Sequence, residues 1–184
     1  MMEKEIETRF LDIDKNELVK KLVSLNAMDK GEEKLQEIIF YDKARSWQGK
    51  HKFVRLRKIK DKIKLTYKSN TLQTVDSARE IELEVSDLEK CSELFDHIGL
   101  KAVREMEKYR HTFKLGDVSV DIGTWPKIPT YMEVEGPSVE SLKNVCSLLG
   151  IDWEKRFDGD AREVFKRYGH NIDDFTMITF AEFK

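Results

Sequence analysis

Cysteine and proline are scarce in this sequence, and long apolar runs are missing. The chain has two cysteines, Cys91 and Cys146, and three prolines in 184 residues. Neither cysteine belongs to a Cys-x-x-Cys pair, which argues against a zinc site. No apolar run approaches the ~18 residues of a membrane span, and the charged N-terminus lacks the apolar stretch of a signal peptide. We therefore expect a cytoplasmic protein with no membrane partner.

An excess of charge of one sign is also missing. Charged residues make up 37% of the chain, yet the net charge is only -2. Proteins that bind nucleic acids are more often basic overall, so this balance argues against a nucleic-acid partner. Unpaired charges are rarely buried in apolar cores, so these charges must lie on the surface or in a polar interior. The length predicts one domain, residues 1–184, which is large enough to fold without disulfides.

Charged side chains recur at every second position in most of the predicted strands. In a strand, residues two apart share a face. The charges at alternate positions are Glu3, Glu5, Glu7 and Arg9; Arg55 and Arg57; Lys62, Lys64 and Lys68; Glu80, Glu82 and Glu84; Lys108 and Arg110; and Glu133 and Glu135. Hydrophobic periodicity and turn residues predict strands at 3–12, 35–43, 52–60, 63–69, 78–85, 101–115, 118–123 and 130–135. They also predict helices at 14–27, 87–97, 138–149 and 160–168.

Two interpretations fit these charged faces. An antiparallel sheet with one face in water normally alternates apolar and charged residues. Alternatively, the sheet closes into a barrel whose apolar faces turn outward under helices, which leaves a charged interior. The signs are sorted by strand, which favours the second interpretation. Carboxylates suit Mg²⁺ or Mn²⁺, and arginine and lysine suit phosphate, so such an interior would bind a metal–polyphosphate complex.

The first predicted strand contains Glu5-Ile6-Glu7-Thr8-Arg9. This stretch resembles Glu-x-Glu-x-Lys, the signature of the CYTH superfamily, the triphosphate tunnel metalloenzymes. Further matches follow in the family's order and cover nearly the whole chain. They are Tyr41-Asp42, Val54-Arg55-Leu56-Arg57, Lys64-Leu65-Thr66-Tyr67-Lys68, Arg79-Glu80-Ile81-Glu82-Leu83-Glu84, Lys108-x-Arg110, Val120-Asp121-Ile122-Gly123 and Glu133-Val134-Glu135.

The resemblance implies an α+β fold, an eight-stranded antiparallel β-barrel that forms a tunnel, with helices packed on the outside. Residues 158–184 are expected to cover one tunnel end. The implied metal ligands for Mg²⁺ or Mn²⁺ are Glu5, Glu7, Glu133 and Glu135, joined by Glu80 and Glu82 as ligands or as groups that position water. The implied triphosphate-binding residues are Arg55, Arg57, Lys64, Lys68, Lys108 and Arg110. The candidate catalytic residues are Lys68, Arg9 and Asp121. Arginine stays protonated, so Arg9 cannot take over a proton-transfer role of the family's lysine.

The implied substrates are small triphosphates such as ATP, tripolyphosphate or thiamine triphosphate. If a ribose oxygen attacks the α-phosphorus, the enzyme is an adenylate cyclase; if water attacks the terminal phosphorus, it is a triphosphatase. The chain length and the Lys108-x-Arg110 spacing resemble the class IV adenylate cyclases more closely. A non-catalytic RNA-binding module is a further alternative, because residues 50–68 hold nine Lys or Arg residues. A homodimer stays open.

Overall fold

The computed structural model describes residues 3–48, 50, 52–70 and 78–184, and at residues 3–5, 70 and 78 it describes the backbone alone. The strands of this part are β1 (Glu3–Glu5), β2 (Glu7–Phe10), β3 (Met28–Asp42), β4 (Lys52–Ile59), β5 (Lys62–Asn70), β6 (Ala78–Val85), β7 (Leu100–Leu115), β8 (Val118–Thr124), β9 (Tyr131–Glu135) and β10 (Met177–Ile178). The α-helices are α1 (Lys15–Ser24), α2 (Leu88–His97), α3 (Val139–Leu149) and α4 (Ala161–Arg167). Short 3-10 helices lie at Trp153–Lys155 and Ile172–Asp174.

The first stretch of chain closes the sheet on itself. The strand order is β1-β6-β5-β4-β3-β7-β8-β9-β2, with β10 added on β7. Ile6 alone separates β1 from β2, and β1 pairs with β6 while β2 pairs with β9. The two ends of the strand order therefore meet in one stretch of chain. Counted as one strand, β1 and β2 complete an eight-stranded antiparallel barrel, which confirms the predicted α+β fold.

The apolar faces of most strands turn outward and are covered by helices, although Ile81 and Leu83 of β6 stay exposed. One cluster joins α1 and α3 to β2, β8 and β9, with Leu22, Leu142 and Val134 fully buried. A second joins α2 to β3 and β4, where the rings of Phe40 and Phe95 meet edge to face at 5.0 Å. Successive side chains of a strand point to opposite faces, so packing the apolar set outward turns the charged set into the barrel.

The helix starts follow from local capping. Asp14 accepts hydrogen bonds from the backbone N–H groups of Asn16 and Glu17, and Asp87 accepts one from the backbone N–H of Lys90. Such caps satisfy N–H groups that have no partner within the helix. None of the described helices is both long and apolar enough to cross a membrane, since the longest, α3, has 11 residues.

Three boundaries differ from the sequence prediction. The strand predicted at 35–43 starts earlier, because β3 begins at Met28 and runs through Gly31. Gly31 has φ +87°, and the pairing of β3 with β7 shifts register between Asp29 and Glu32. Glycine adopts positive φ at little cost, so the strand continues through a bulge at this position. Helix α1 ends at Ser24 rather than at 27, and β10 gives regular structure to a tail in which only a helix was predicted.

Candidate functional site

The inward-facing charges of the barrel line one cavity of about 430 Å³. The side chain of Glu5 lies outside the described part of the chain. The cavity contacts every other predicted site residue: Glu7, Arg9, Arg55, Arg57, Lys64, Lys68, Glu80, Glu82, Lys108, Arg110, Asp121, Glu133 and Glu135. The alternation of charge in the sequence therefore corresponds to a shared interior surface.

Arg9 lies between two carboxylates and a backbone carbonyl. Its Nη2 is 3.1 Å from Glu7 Oε1 and 2.7 Å from Glu133 Oε1, and its Nη1 donates to the carbonyl of Gly159 at 2.8 Å. Burial alone would lower the pKa of Arg9, but Glu7 and Glu133 outweigh it and raise that pKa. The guanidinium group of Arg9 thus joins Glu7 and Glu133 to the segment that precedes α4.

Lys68 gives Glu7 a second cationic partner. Lys68 Nζ lies 3.1 Å from Glu7 Oε1 and 3.7 Å from Glu80 Oε2, across the β5–β6 pair. Burial would raise the pKa of Glu7, but Arg9 and Lys68 overcome this and hold the pKa well below its usual value. Glu7 is therefore an anion at neutral pH, as a metal ligand must be.

Glu37, which the sequence reasoning missed, pairs with two arginines of the cavity. Its Oε1 accepts a hydrogen bond from Arg57 Nε at 2.7 Å and lies 4.0 Å from Arg55 Nη1. Only 4% of Glu37 is exposed. Burial would raise its pKa, but Arg57, Lys108 and Arg55 together lower it well below the usual value. Glu37 is the single acid in an otherwise apolar stretch of β3, so no charge alternation marked it.

Lys108 is buried among cations and an aromatic ring. Its Nζ lies 4.7 Å from the centre of the Trp125 ring. Burial is the main reason that its pKa falls from 10.5 to about 8; Glu37 and Glu133 oppose the fall, while Arg57 and Arg110 add to it. Lys108 therefore sits near its titration point at neutral to mildly alkaline pH.

Carboxylates gather on the β8–β9 side of the cavity. Burial is the main cause of the raised pKa of Glu135, and the charges of Glu7 and Asp121 add to it. Asp121 is 3.5 Å from Arg110 Nη1, whereas Glu135 makes no ion pair with the described residues. Repulsion of this kind is relieved by a bound cation, and carboxylate oxygens are the ligands that Mg²⁺ and Mn²⁺ prefer.

A complete metal centre is not preformed by these side chains. Within the described residues, no three carboxylate, histidine or cysteine side chains converge at metal-binding distance. Arg9 holds the position between Glu7 and Glu133 instead. In charge and in donor chemistry, the carboxylates of Glu7, Glu135 and Asp121 nevertheless fit a divalent cation. They are the donors that would hold it.

Residues 157–184, called here the C-terminal segment, are hydrogen-bonded to two arginines of the barrel interior. Residues Arg9 and Phe157 exchange backbone hydrogen bonds of 3.2 and 2.7 Å. Arg104, which shares the inward face of Lys108, donates to Asp173 Oδ1 at 2.8 Å and to the carbonyl of Phe175 at 3.0 Å. Arg104 was missed by the sequence reasoning, although its even spacing from Lys108 and Arg110 was a usable signal.

Apolar side chains form the rest of the cavity wall near this segment. Trp125 lines the cavity, and its ring packs edge to face on Phe165 at 5.6 Å. Trp47 is not among the lining residues, and its ring packs on that of Tyr67 at 6.3 Å. The apolar lining consists of Ile39, Tyr41, Phe53, Met106, Trp125, Tyr131, Ala161 and Ile172.

The chain belongs to the CYTH domain family, whose family model matches residues 3–147. A protein of Methanocaldococcus jannaschii, provisionally named an adenylate cyclase, is 27% identical over 132 residues, which are 71% of this chain and 75% of that protein. A solved structure from Pyrococcus horikoshii has 25% identity and a TM-score of 0.74, covering 87% of this chain and 98% of its own.

A plant relative shares the fold at lower identity. It is a protein from Hippeastrum, provisionally named an adenylyl cyclase and described as having a dominant triphosphatase activity. It has 14% identity and a TM-score of 0.63, and the match covers 92% of this chain and 96% of its own. This match shows that the two proteins share a fold.

Proposed function

We propose that this protein is a divalent-metal-dependent enzyme that acts on a triphosphate inside the tunnel, and that adenylate cyclase is its first candidate reaction. The observation that carries the proposal is the cavity itself, which cationic and carboxylate side chains line together. The cations, called here the basic wall, are Arg55, Arg57, Lys64, Lys68, Lys108 and Arg110. A metal-bound triphosphate carries both the negative charge that the basic wall would bind and the cation that the carboxylates would bind.

The roles of the residues follow from this arrangement. Arg57, fixed by Glu37, and Arg110, placed beside Asp121, would hold phosphate oxygens in a fixed orientation. Glu7 and Glu135, with Asp121, would hold Mg²⁺ or Mn²⁺. When bound, such an ion offsets the charge that develops on the phosphate oxygens during transfer. Lys68 and Arg9, both paired with Glu7, would orient that carboxylate and balance its charge.

Two observations favour a substrate with an organic group. The cavity wall near the C-terminal segment is apolar and aromatic, with Trp125 and Tyr41 among its residues, and such walls bind planar organic groups. The M. jannaschii relative is also provisionally named an adenylate cyclase. In that reaction the ribose oxygen would attack the α-phosphorus and release pyrophosphate.

Triphosphate hydrolysis is the second candidate. The activity described for the Hippeastrum protein favours it, and the basic wall would bind tripolyphosphate or thiamine triphosphate equally well. An RNA-binding module receives less support, because the nine basic residues of 50–68 do not share one face. Arg55, Arg57, Lys64 and Lys68 line the cavity, whereas Lys58, Lys60 and Lys62 are exposed.

We also propose that residues 1–184 form one functional unit, in which residues 158–184 close one end of the tunnel. The bonds from Arg9 to Gly159 and from Arg104 to Asp173 support this proposal. A cytoplasmic location remains a prediction from the sequence.

The test is product analysis by ³¹P NMR with purified protein, Mg²⁺ or Mn²⁺, and either ATP or tripolyphosphate. Cyclic AMP with pyrophosphate supports the cyclase, and orthophosphate without a cyclic product replaces it with the triphosphatase. The variant Glu135→Gln should lose metal-dependent turnover about 100-fold or more, without loss of stability, because Glu135 makes no ion pair with the described residues. The matched control is Glu93→Gln on α2, at an exposed position. No turnover with any triphosphate contradicts the proposal.

A further inference from the structure

One cationic side chain enters the cavity from the C-terminal segment rather than from the barrel. Arg162 lies in the first turn of α4 and lines the cavity beside Tyr41, whose ring centre is 5.7 Å from its guanidinium carbon. Its Nη1 is buried and has no hydrogen-bond partner among the described residues.

Arg162 differs from the other arginines of the cavity in having no anionic partner. Arg57 pairs with Glu37, Arg104 with Asp173 and Arg110 with Asp121. Arg9 and Arg55 each have a buried Nε that lacks a hydrogen bond, but Arg9 also contacts Glu7 and Glu133, and Arg55 contacts Glu37. For Arg162, the described part of the chain supplies neither an ion pair nor a side-chain hydrogen bond.

The position of Arg162 is fixed from both sides. Asp160 caps the helix by accepting from the backbone N–H groups of Arg162 and Glu163, at 2.9 and 3.3 Å. Two residues further along α4, Val164 and Phe165 are fully buried against the barrel end. The side chain is therefore held at the cavity by packing and capping that do not depend on its own charge.

A buried donor without an acceptor is costly, and more so when it carries charge. A phosphate oxygen is a strong acceptor for a guanidinium nitrogen, and its charge would also offset that of Arg162. The cavity already has the basic wall that attracts such an anion. The missing partner of Arg162 is thus supplied most simply by the same ligand.

We propose that Arg162 is a further substrate-binding residue, which donates to a phosphate oxygen of the triphosphate and so encloses the ligand between the barrel and α4. This inference rests on the proposed function of the tunnel. It also makes the C-terminal segment part of the binding site. Arg162 lies outside residues 3–147, the part of the chain that the family model matches.

The experiment is isothermal titration calorimetry of tripolyphosphate in EDTA, so that the result does not depend on metal or turnover. The variant Arg162→Ala should bind about 10- to 100-fold more weakly. Arg162→Lys, which keeps the charge but not the fork, should bind with intermediate affinity. The matched control is Arg167→Ala, which removes an exposed arginine from the same helix and should leave binding unchanged.

The outcomes separate this inference from the proposed function. If the unaltered protein binds tripolyphosphate and Arg162→Ala binds within about twofold of it, Arg162 is not a ligand and the tunnel site stands. If the unaltered protein does not bind, the proposed function fails and this inference fails with it. Thermal melting of each variant shows whether it is folded. If Arg162→Ala is not folded, Arg162→Lys is measured in its place. The inference is overturned if Arg162→Lys binds tripolyphosphate as tightly as the unaltered protein and if tripolyphosphate does not change the amide hydrogen exchange of residues 161–167.

Discussion

The substitution Glu37→Gln removes the buried anion that pairs with Arg57 and lies near Arg55 and Lys108. Glutamine keeps the shape of the side chain, so no cavity forms, but Arg57 loses its 2.7 Å charged partner and Arg55 and Lys108 lose a neighbouring anion. Breaking a buried ion pair from one side costs about 3–5 kcal/mol. For a domain of this size that corresponds to a fall in Tm of roughly 6–20 °C, measured by circular dichroism at pH 7.

A ligand should reverse much of this loss. Added tripolyphosphate brings negative charge to the basic wall, so it should raise the Tm of Glu37→Gln more than that of the unaltered protein. The matched control is Glu33→Gln on the same strand. Glu33 pairs with Lys60 at 2.7 Å, but that lysine is 74% exposed, and surface pairs contribute only about 0–1 kcal/mol.

The pH dependence has a definite sign. The folded-state pKa of Glu37 is depressed, so its stabilisation is present above the unfolded value near 4.5 and is lost as the pH falls through the lower, folded value. The gap in Tm between the unaltered protein and Glu37→Gln should therefore shrink below pH 4.5. A variant that melts within about 2 °C of the unaltered protein at pH 7 would refute the reasoning, as would equal ligand-induced shifts.

Three further predictions concern other parts of the chain. Because burial lowers the pKa of Lys108 to about 8, metal-free binding of tripolyphosphate should weaken as the pH rises above 8, and Lys108→Arg should flatten that profile in calorimetry; parallel profiles would contradict it. A Cβ on Gly159 would lie 2.6 Å from the Phe157 ring, so Gly159→Ala should cost about 1–3 kcal/mol in denaturant unfolding, and an unchanged midpoint would show that the segment yields. Ser138 caps α3 by accepting from the Ser141 N–H at 3.1 Å, so Ser138→Ala should cost about 1 kcal/mol, and Ser138→Asp should restore it.

The shared charged faces could be predicted because their signals repeat along the chain, whereas closure into a barrel was implied by the resemblance to the CYTH superfamily. Glu80 and Glu82, like Arg55 and Arg57, alternate with apolar residues over whole strands, and alternation fixes which side chains share a face. If one side chain of a strand points into the barrel, the side chains two and four residues away point into it as well. The predicted site residues therefore converge without any knowledge of the loops.

Glu37 and Arg162 lack such repetition. Glu37 is the only charge among the inward residues of its strand that line the cavity, which continue with Ile39 and Tyr41. Its role depends on Arg57 of the neighbouring strand, and register between strands is not visible in either segment alone. Arg162 reaches the cavity only because the chain returns across the tunnel end. That placement depends on tertiary contacts between distant parts of the sequence.

Arg9 shows a similar limit. Its place in the Glu-x-Glu-x-Arg motif predicted an inward side chain, and the cavity contains it. Its bond to the carbonyl of Gly159, 150 residues away, was not predictable from local spacing. The same guanidinium thus contacts Glu7, Glu133 and the C-terminal segment, and its role in catalysis remains a proposal.

The most direct test of the account is a crystal structure of the protein with Mn²⁺ and a non-hydrolysable triphosphate analogue, with manganese located by anomalous scattering. The account predicts phosphate oxygens against Arg57 and Arg110 inside the tunnel, with manganese beside Glu7 and Glu135. A triphosphate bound outside the barrel, or manganese away from these carboxylates, would contradict it.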